Sequence, residues 1–278
     1  MIRLGTLSGD SLVRMSPESV LPRKGNPMEK SRRQVHRDFL KDTLRLEIDF
    51  RQTDQNQGEA APPLQKPAAE GQALLSLPGT DSFEAFRGTD LLDAIDNRRS
   101  HRQFLDEALS LTELAFLLWA TQGVRQILSP GVALRTVPSA GCRHAFETYL
   151  LINRVESLES GVYRYLPVEH ALVFEHHIDH LSARLANAAL GQDFVGAAPV
   201  TFAWTVLPYR MEWRYALAAH RVIAMDAGHL CQNLYLACAA IDAGTCAIAA
   251  YHQERMDDLL GVDGDDEFTL YLAPVGKV

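Results

Sequence analysis

From Thr89 onward the chain alternates helix-like and strand-like periods in irregular order, and this alternation limits the folds open to it. Residues 200–207 are a continuous apolar run of strand length. A helical period follows over about 221–241, with Gly244 beyond it as a stop. Further strands are expected at 148–153, 161–165, 171–174, 246–250 and 268–275, the second and third joined as a hairpin through 167–170. Thr89 is placed to cap a helix with Leu91, Leu92 and Ile95 on its apolar face. Ser110-Leu-Thr-Glu113 spells a capping box, and Leu114, Leu117 and Leu118 share one face of the helix it opens, which ends near Gly123. Residues 179–190 and 253–260 complete the helices, stopped by Gly191 and Gly261. No internal repeat is visible. The expected class is α+β, a sheet packed by helices.

The first third of the chain differs in character. Residues 1–50 are polar, with one helix expected at 32–46. Residues 52–80 read as a linker, with Pro62, Pro63, Pro67 and Pro78 set among Gly58, Gly71 and Gly79. Such a segment either wraps a neighbour or stays mobile. The expected division is therefore 1–87 as an N-terminal extension and linker arm, and 88–278 as the main domain. Charge follows the same division: residues 1–51 carry 11 Lys/Arg against 7 Asp/Glu, while the chain as a whole stands at -8. An acidic body disfavours nucleic acid as a partner. No run is long and uninterrupted enough to predict a membrane span, and the N-terminus lacks an apolar signal core. Four cysteines without a CxxC pair suit reduced, mostly buried thiols and a cytoplasmic protein.

Against that acidic background Arg98-Arg99-Ser100-His101-Arg102 stands out. Guanidiniums are planar, permanently charged forks that match phosphate oxygens in pairs, and serine adds a neutral donor. The cluster suits either a solvated basic turn or an anionic, phosphate-bearing ligand. Pro138-Ser139-Ala140-Gly141 is a second candidate, since small residues allow a backbone to approach a flat ligand; an ordinary turn has the same composition. Residues 244–250 are small as well, which fits close approach to a ring or tight packing of a buried strand. Arg210 to Tyr215 lies ahead of the long helix and could line a pocket mouth or pack as a helix start. Ten histidines show no spaced ligand set, so no metal is expected. GxSxG, P-loop and GxGxxG patterns are absent, which removes the usual support for hydrolase, NTPase and Rossmann readings.

The order of these pieces resembles the nitroreductase family. The series is Arg98-Arg99-Ser-His-Arg102, Pro138-Ser-Ala-Gly141, Asp226-Ala-Gly-His229 with Gln232-Asn-Leu234, 244–251, and Pro274-Val-Gly-Lys277. More narrowly it is similar to the SagB/ThcOx-type dehydrogenase branch, which includes azoline oxidases. The resemblance covers about 88–278 and implies a nitroreductase-like fold with a central, mostly antiparallel sheet. It also implies an FMN-dependent homodimer with flavin at the subunit interface. In that frame Arg98, Ser100 and Arg102 fall where the flavin phosphate and ribityl chain are held, and Arg99 fills the neighbouring motif position among the cofactor-binding residues. Pro138, Ser139, Ala140 and Gly141 match the segment that covers the isoalloxazine from the partner subunit. Gln192 matches a glutamine near the pyrimidine end, and Ala249 and Ala250 match the stretch whose N–H faces flavin N5. Three departures accompany the match. Cys142 stands where many members have Asn. Phosphate ligands beyond the Pro-Val-Gly motif are missing, with Lys277 as the substitute. Arg214-Tyr215 replaces the Lys-Tyr pair of azoline oxidases, and a guanidinium orients better than it abstracts protons.

The implied activity is a two-electron oxidoreductase using FMN. It would act either as an NAD(P)H-dependent reductase or as a dehydrogenase of a small-molecule or peptide substrate, with Tyr215 as proton acceptor and Arg214 beside it. The alternative is a non-catalytic flavin-fold partner that binds another protein through residues 1–87.

Overall fold

The computed structural model describes residues 31–278. The part of the expected extension before residue 31 lies outside the described residues. Residues 31–41 belong to a unit separate from 42–278. They hold helix α1 (Arg32–Phe39), whose N-cap Ser31 accepts from the Gln34 N–H at 3.2 Å. The helix expected to reach residue 46 therefore stops at Phe39; Thr43–Glu47 forms a separate 3₁₀ turn in the second unit.

In that second unit, seven antiparallel strands form one sheet in the order β1-β6-β5-β4-β7-β9-β8. They are β1 (Leu74–Ser76), β4 (Phe146–Ile152), β5 (Gly161–Leu166), β6 (Ala171–His176), β7 (Val200–Val206), β8 (Ala243–Thr245) and β9 (Phe268–Lys277). A separate hairpin joins β2 (Val124–Ser129) to β3 (Val132–Arg135). The α+β class and the antiparallel sheet flanked by helices are thus as expected. The sequence pattern misses the β2–β3 hairpin because two register shifts break its period of two. It also misses β1, which is only three residues long at the sheet edge. The strand expected at 246–250 sits earlier, at 243–245, where Gly244 pairs with Gly276; only Ile248 of the later stretch bridges to the sheet, through Leu272.

Both faces of the sheet are covered. On β4, Leu150 and Ile152 point to one core and Tyr149 and Leu151 to the other, as a period of two requires. The first core is closed by α4 (Leu111–Gln122) and α8 (Ala219–Ala239), which supply Leu114, Leu117, Leu118, Ile223, Leu230 and Leu234. The second is closed by α5 (Leu181–Ala188) and α9 (Gln253–Leu260), through Leu185, Met256 and Leu259. The capping box at α4 is complete: Ser110 Oγ accepts from Glu113 N, and Glu113 Oε2 accepts from Ser110 N at 2.9 Å. Helix α3 (Leu91–Asn97) is capped by Asp90 rather than Thr89, and its Leu91, Leu92 and Ile95 face outward in the single chain. Two short helices, α2 (Asp54–Gln57) and α6 (Asp193–Ala197), complete the set together with α7 (Tyr209–Tyr215). The residues expected to precede the long helix are thus a helix of their own.

The segment expected as linker wraps the domain. Where the second sheet face carries charge instead of aliphatic residues, residues 64–67 lie over it. Glu147, 2% exposed, takes an ion pair from Arg210 and a hydrogen bond from the Lys66 N–H at 2.7 Å. Arg164, also buried, pairs with Glu175 at 2.6 Å and donates to the Lys66 and Pro67 carbonyls. Lys66 Nζ reaches Glu267 at 2.7 Å, and Arg135 donates to the Leu64 carbonyl. Among the described residues, no helix is long and apolar enough to cross a membrane.

Truncating Glu147 would leave Arg210 and Arg164 buried with less compensation, which is costlier than never having had the pair. Glu147→Ala should lower the free energy of unfolding by about 3–5 kcal/mol in urea titration, whereas an exposed substitution such as Arg87→Ala should change it by under about 1 kcal/mol.

Candidate active site

The sequence-expected residues fall into two groups held at different points of α8. The first is the basic turn after α3. Its backbone runs beside β8: Ser100 bridges to Thr245, and the His101 N–H donates to the Thr245 carbonyl at 2.9 Å. Tyr235 on α8 organises this group. Its hydroxyl accepts from the Ala247 N–H at 2.8 Å, and its own proton is free for Ser100 Oγ at 2.9 Å. The Arg98 guanidinium lies over the Tyr235 ring, 5.3 Å from its centroid. A cavity of about 400 Å³ opens here, lined by Arg98, Arg99, His101, Tyr235 and Gly244 among others. At Gly244 a Cβ would stand 2.6 Å from the His101 ring, so only glycine lets the turn close on the strand.

No carboxylate among the described residues pairs with Arg98, Arg99 or Arg102, although Asp93 and Asp242 also line the cavity. Arg99 Nε instead donates to His101 Nε2 at 3.3 Å. That bond needs a neutral imidazole, and burial together with the Arg99 charge lowers the His101 pKa. Ala249 and Ala250 are exposed beyond β8, and Gln192, the N-cap of α6, donates to the Ala250 carbonyl at 2.9 Å. Gln192, Ala250 and the basic turn are thus tied to one edge of the sheet through 243–250.

Lys277 does not join them. Its ammonium binds Glu113 Oε1 and the Ile241 carbonyl, both at 2.5 Å. The carboxylate that closes the capping box also holds this lysine, which locks β9 to the start of α4.

The second group is the Pro138 turn. Gly141, Cys142 and His144 all have positive φ (59°, 55° and 47°), so this stretch is costly and needs anchors. Asp226 on α8 supplies one, accepting from the Ala140 N–H at 3.2 Å and hydrogen-bonding the Ser139 side chain. Ser139 Oγ in turn accepts from the His144 N–H at 3.0 Å. At 6% exposure, Asp226 has its pKa raised by burial, and the bonds from Ser139 and Ala140 and the nearby His229 oppose the shift. His144 is buried beside Arg135 and its pKa falls to about 3, mainly by desolvation; its neutral ring donates from Nε2 to the Ala133 carbonyl at 3.1 Å.

The last two expected residues close on this turn. At Gly141 a Cβ would lie 2.6 Å from Tyr215 Oη and 2.9 Å from Arg214 Nε. The Arg214 guanidinium is 5.6 Å from the Tyr215 ring centroid. Asp226 and Tyr235, which anchor the two groups, are nine residues apart on α8, about 13 Å along the helix. In the sequence Asp226 belongs to a motif with no role of its own, and nothing local marks Tyr235; the Asp-Ala-Gly-His and Gln-Asn-Leu-Tyr spacing on one helix is the signal that points to both.

The Nitroreductase family model matches residues 95–277. The chain belongs to the nitroreductase family. A Methanocaldococcus jannaschii protein named for the same family, MJ1384, is 32% identical over 189 residues, 67% of this chain and 90% of that one. A similarly named crystal structure from Ralstonia eutropha JMP134 superposes with a TM-score of 0.61 at 27% identity, over 79% of this chain and 97% of that one. The trifolitoxin operon protein TfxC of Rhizobium leguminosarum bv. trifolii is 28% identical over 200 residues, 67% of this chain and 55% of TfxC. The matched span of this nitroreductase-family oxidoreductase contains both groups. No cluster of three or more potential metal-ligating side chains occurs among the described residues.

Because burial raises the Asp226 pKa, its ionised form weighs against the folded state as pH climbs above the ordinary carboxylate value of 3.8. Asp226→Asn keeps an acceptor for Ala140 and removes that charge. In urea unfolding across a pH series, the stability difference between variant and parent should be flat below pH 3.8 and move in the variant's favour as pH rises above it.

Proposed function

We propose that this protein is an FMN-dependent oxidoreductase of the SagB/ThcOx-type branch. The observation that carries the reading is the trio Arg98, Arg99 and Arg102 in one turn, Arg98 and Arg99 lining the cavity and Arg102 lining an adjoining one with Arg99 and Ser100, with no carboxylate pairing among the described residues and with Ser100 held by Tyr235. Unpaired guanidiniums beside a neutral hydroxyl donor fit a phosphate monoester dianion. Arg98, Ser100 and Arg102 would hold that phosphate, with Arg99 alongside. Lys277 leaves the proposed set because its ammonium is already bound. Gln192, Ala249 and Ala250 would stand toward the ring system, with the Ala250 carbonyl fixed by Gln192. FMN, when bound, supplies two-electron chemistry that no side chain here can perform.

Residues on the second group then act on substrate and protons. Tyr215 exchanges a proton with the reacting substrate, and Arg214 orients it from the adjoining position. Pro138, Ser139, Ala140 and Gly141 present a small, backbone-lined surface, anchored by Asp226 so that it keeps its shape. With the two groups about 13 Å apart along α8, one chain offers two half-sites rather than one. A homodimer that brings the Pro138 turn of one subunit to the basic turn of its partner completes them. The outward Leu91, Leu92 and Ile95 of α3, and Met225 on α8, give such a dimer apolar surface to cover. The branch assignment draws on the motif order and on the likeness to a trifolitoxin operon protein. It implies a dehydrogenase of a small-molecule or peptide substrate; NAD(P)H as donor is the reductase variant of the same chemistry.

Purified protein should be yellow, or become so with FMN, and should bleach with NADPH, NADH or a peptide substrate. A protein that takes no FMN sinks the reading, and one that holds FMN inert toward every donor and acceptor returns it to the binding-partner alternative. Arg98→Ala removes a charged donor to phosphate and should weaken FMN binding by about 10- to 100-fold in equilibrium dialysis.

A further inference from the structure

We infer that residues 54–66, together with a strained corner at Ala216, form a clamp that positions Arg214 and Tyr215 over the Pro138 turn. The inference rests on the proposed role of Tyr215 and concerns what holds that residue in place. Helix α7 has only seven residues, too few to be stable alone. Its rear is gripped at three points by chain far away in sequence. Tyr209 Oη donates to Asp54 Oδ2 at 2.8 Å, and Trp213 Nε1 donates to the Glu59 carbonyl at 3.1 Å. Arg210 pairs with the Glu147 oxygen that also takes the Lys66 N–H.

A second layer stiffens the grip. Arg143 stacks on the Trp213 ring at 4.6 Å and donates to the Arg210 and Gly131 carbonyls. Gly131 sits so close to Ala61 and Pro62 that a Cβ would approach both within 2.8 Å. At the far end of α7 the chain turns at Ala216 with φ 45° and ψ −136°, a conformation that glycine adopts freely and alanine resists. Such a corner persists only where its surroundings fix it. Here the clamp fixes one side, and Gly141, pressed against Tyr215 Oη and Arg214 Nε, meets the other. All of 54–66 lies ahead of the span matched by the family model, 95–277. The geometry therefore makes this segment part of the active-site support, with Trp213 and Tyr209 as positioning residues.

The test compares the full-length parent with the Tyr209→Phe/Trp213→Phe double variant and with Ala216→Gly. Tyr209→Phe keeps the ring and removes only the donor to Asp54, whereas Trp213→Phe removes the donor to Glu59 together with part of the ring on which Arg143 stacks, so both changes loosen the clamp. Three quantities are read: amide hydrogen exchange at 213–218, the melting temperature, and, in FMN-loaded protein, NADPH-driven reduction of menadione. The double variant should exchange at least about fivefold faster across 213–218, retain its flavin absorbance, and lose about tenfold in kcat for menadione with KM for NADPH unchanged. Ala216→Gly should melt about 2–4 °C higher yet turn over more slowly, a combination that a purely structural role does not produce. Unchanged exchange at 213–218 in both variants overturns the clamp, and so does faster exchange with unchanged kcat. Should the double variant fail to fold, Ala216→Gly decides alone. Should the parent take no FMN, the flavin reading falls, and exchange at 213–218 still decides whether the clamp exists.

Discussion

The Glu147 carboxylate joins three parts of the chain that share no local sequence. It stands on the central strand β4, pairs with Arg210 of α7, and accepts the backbone N–H of Lys66. A buried charge of this kind adds little net stability compared with a well-packed apolar substitute, but it tolerates very few arrangements of its neighbours. Specification is what the domain needs at that place. A helix of two turns and an extended strap have no large apolar faces to fix their register, and directional bonds to one oxygen pair fix both. The aliphatic cores on either side of the sheet supply most of the favourable burial, and the charged patch decides where the remaining pieces sit.

Helix α8 performs the complementary task on the other face of the sheet. It offers Tyr235 to the basic turn and to Ala247 after β8, and Asp226 to the Pro138 turn. Asp226 holds the main chain of its turn at the Ala140 N–H, whereas Tyr235 holds the Ser100 hydroxyl of the basic turn and the Ala247 N–H of the stretch after β8.

Much of this was legible in the sequence because the signals were local. Ser110 and Glu113 announced a capping box, and the strands of the main sheet carried apolar runs of the right length. The Arg98 cluster was visible as charge out of place in an acidic body. What stayed hidden depends on distant partners. Tyr209–Tyr215 shows no long helical period, and its helical state rests on Asp54, Glu59 and Glu147. The β2–β3 hairpin loses its alternation at two bulges. Lys277, expected as the substitute for phosphate ligands beyond the Pro-Val-Gly motif, is held by Glu113 across 164 residues of sequence, a pairing that only the fold reveals. The roles of Asp226 and Tyr235 escaped for the same reason, since the atoms they bind belong to residues 86 and 12 positions away.

One consequence follows from His144. Its ring stays neutral well into the acid range, donates through Nε2 to a fixed carbonyl, and leaves its backbone N–H on Ser139. Imidazole is ordinarily the side chain that changes charge near neutrality. Here the histidine nearest the Pro138 turn is electrically silent, a tautomer frozen as masonry. The ring beside the turn therefore acts as a fixed donor, while the carboxylate that anchors the turn from α8 is the group whose ionisation burial opposes.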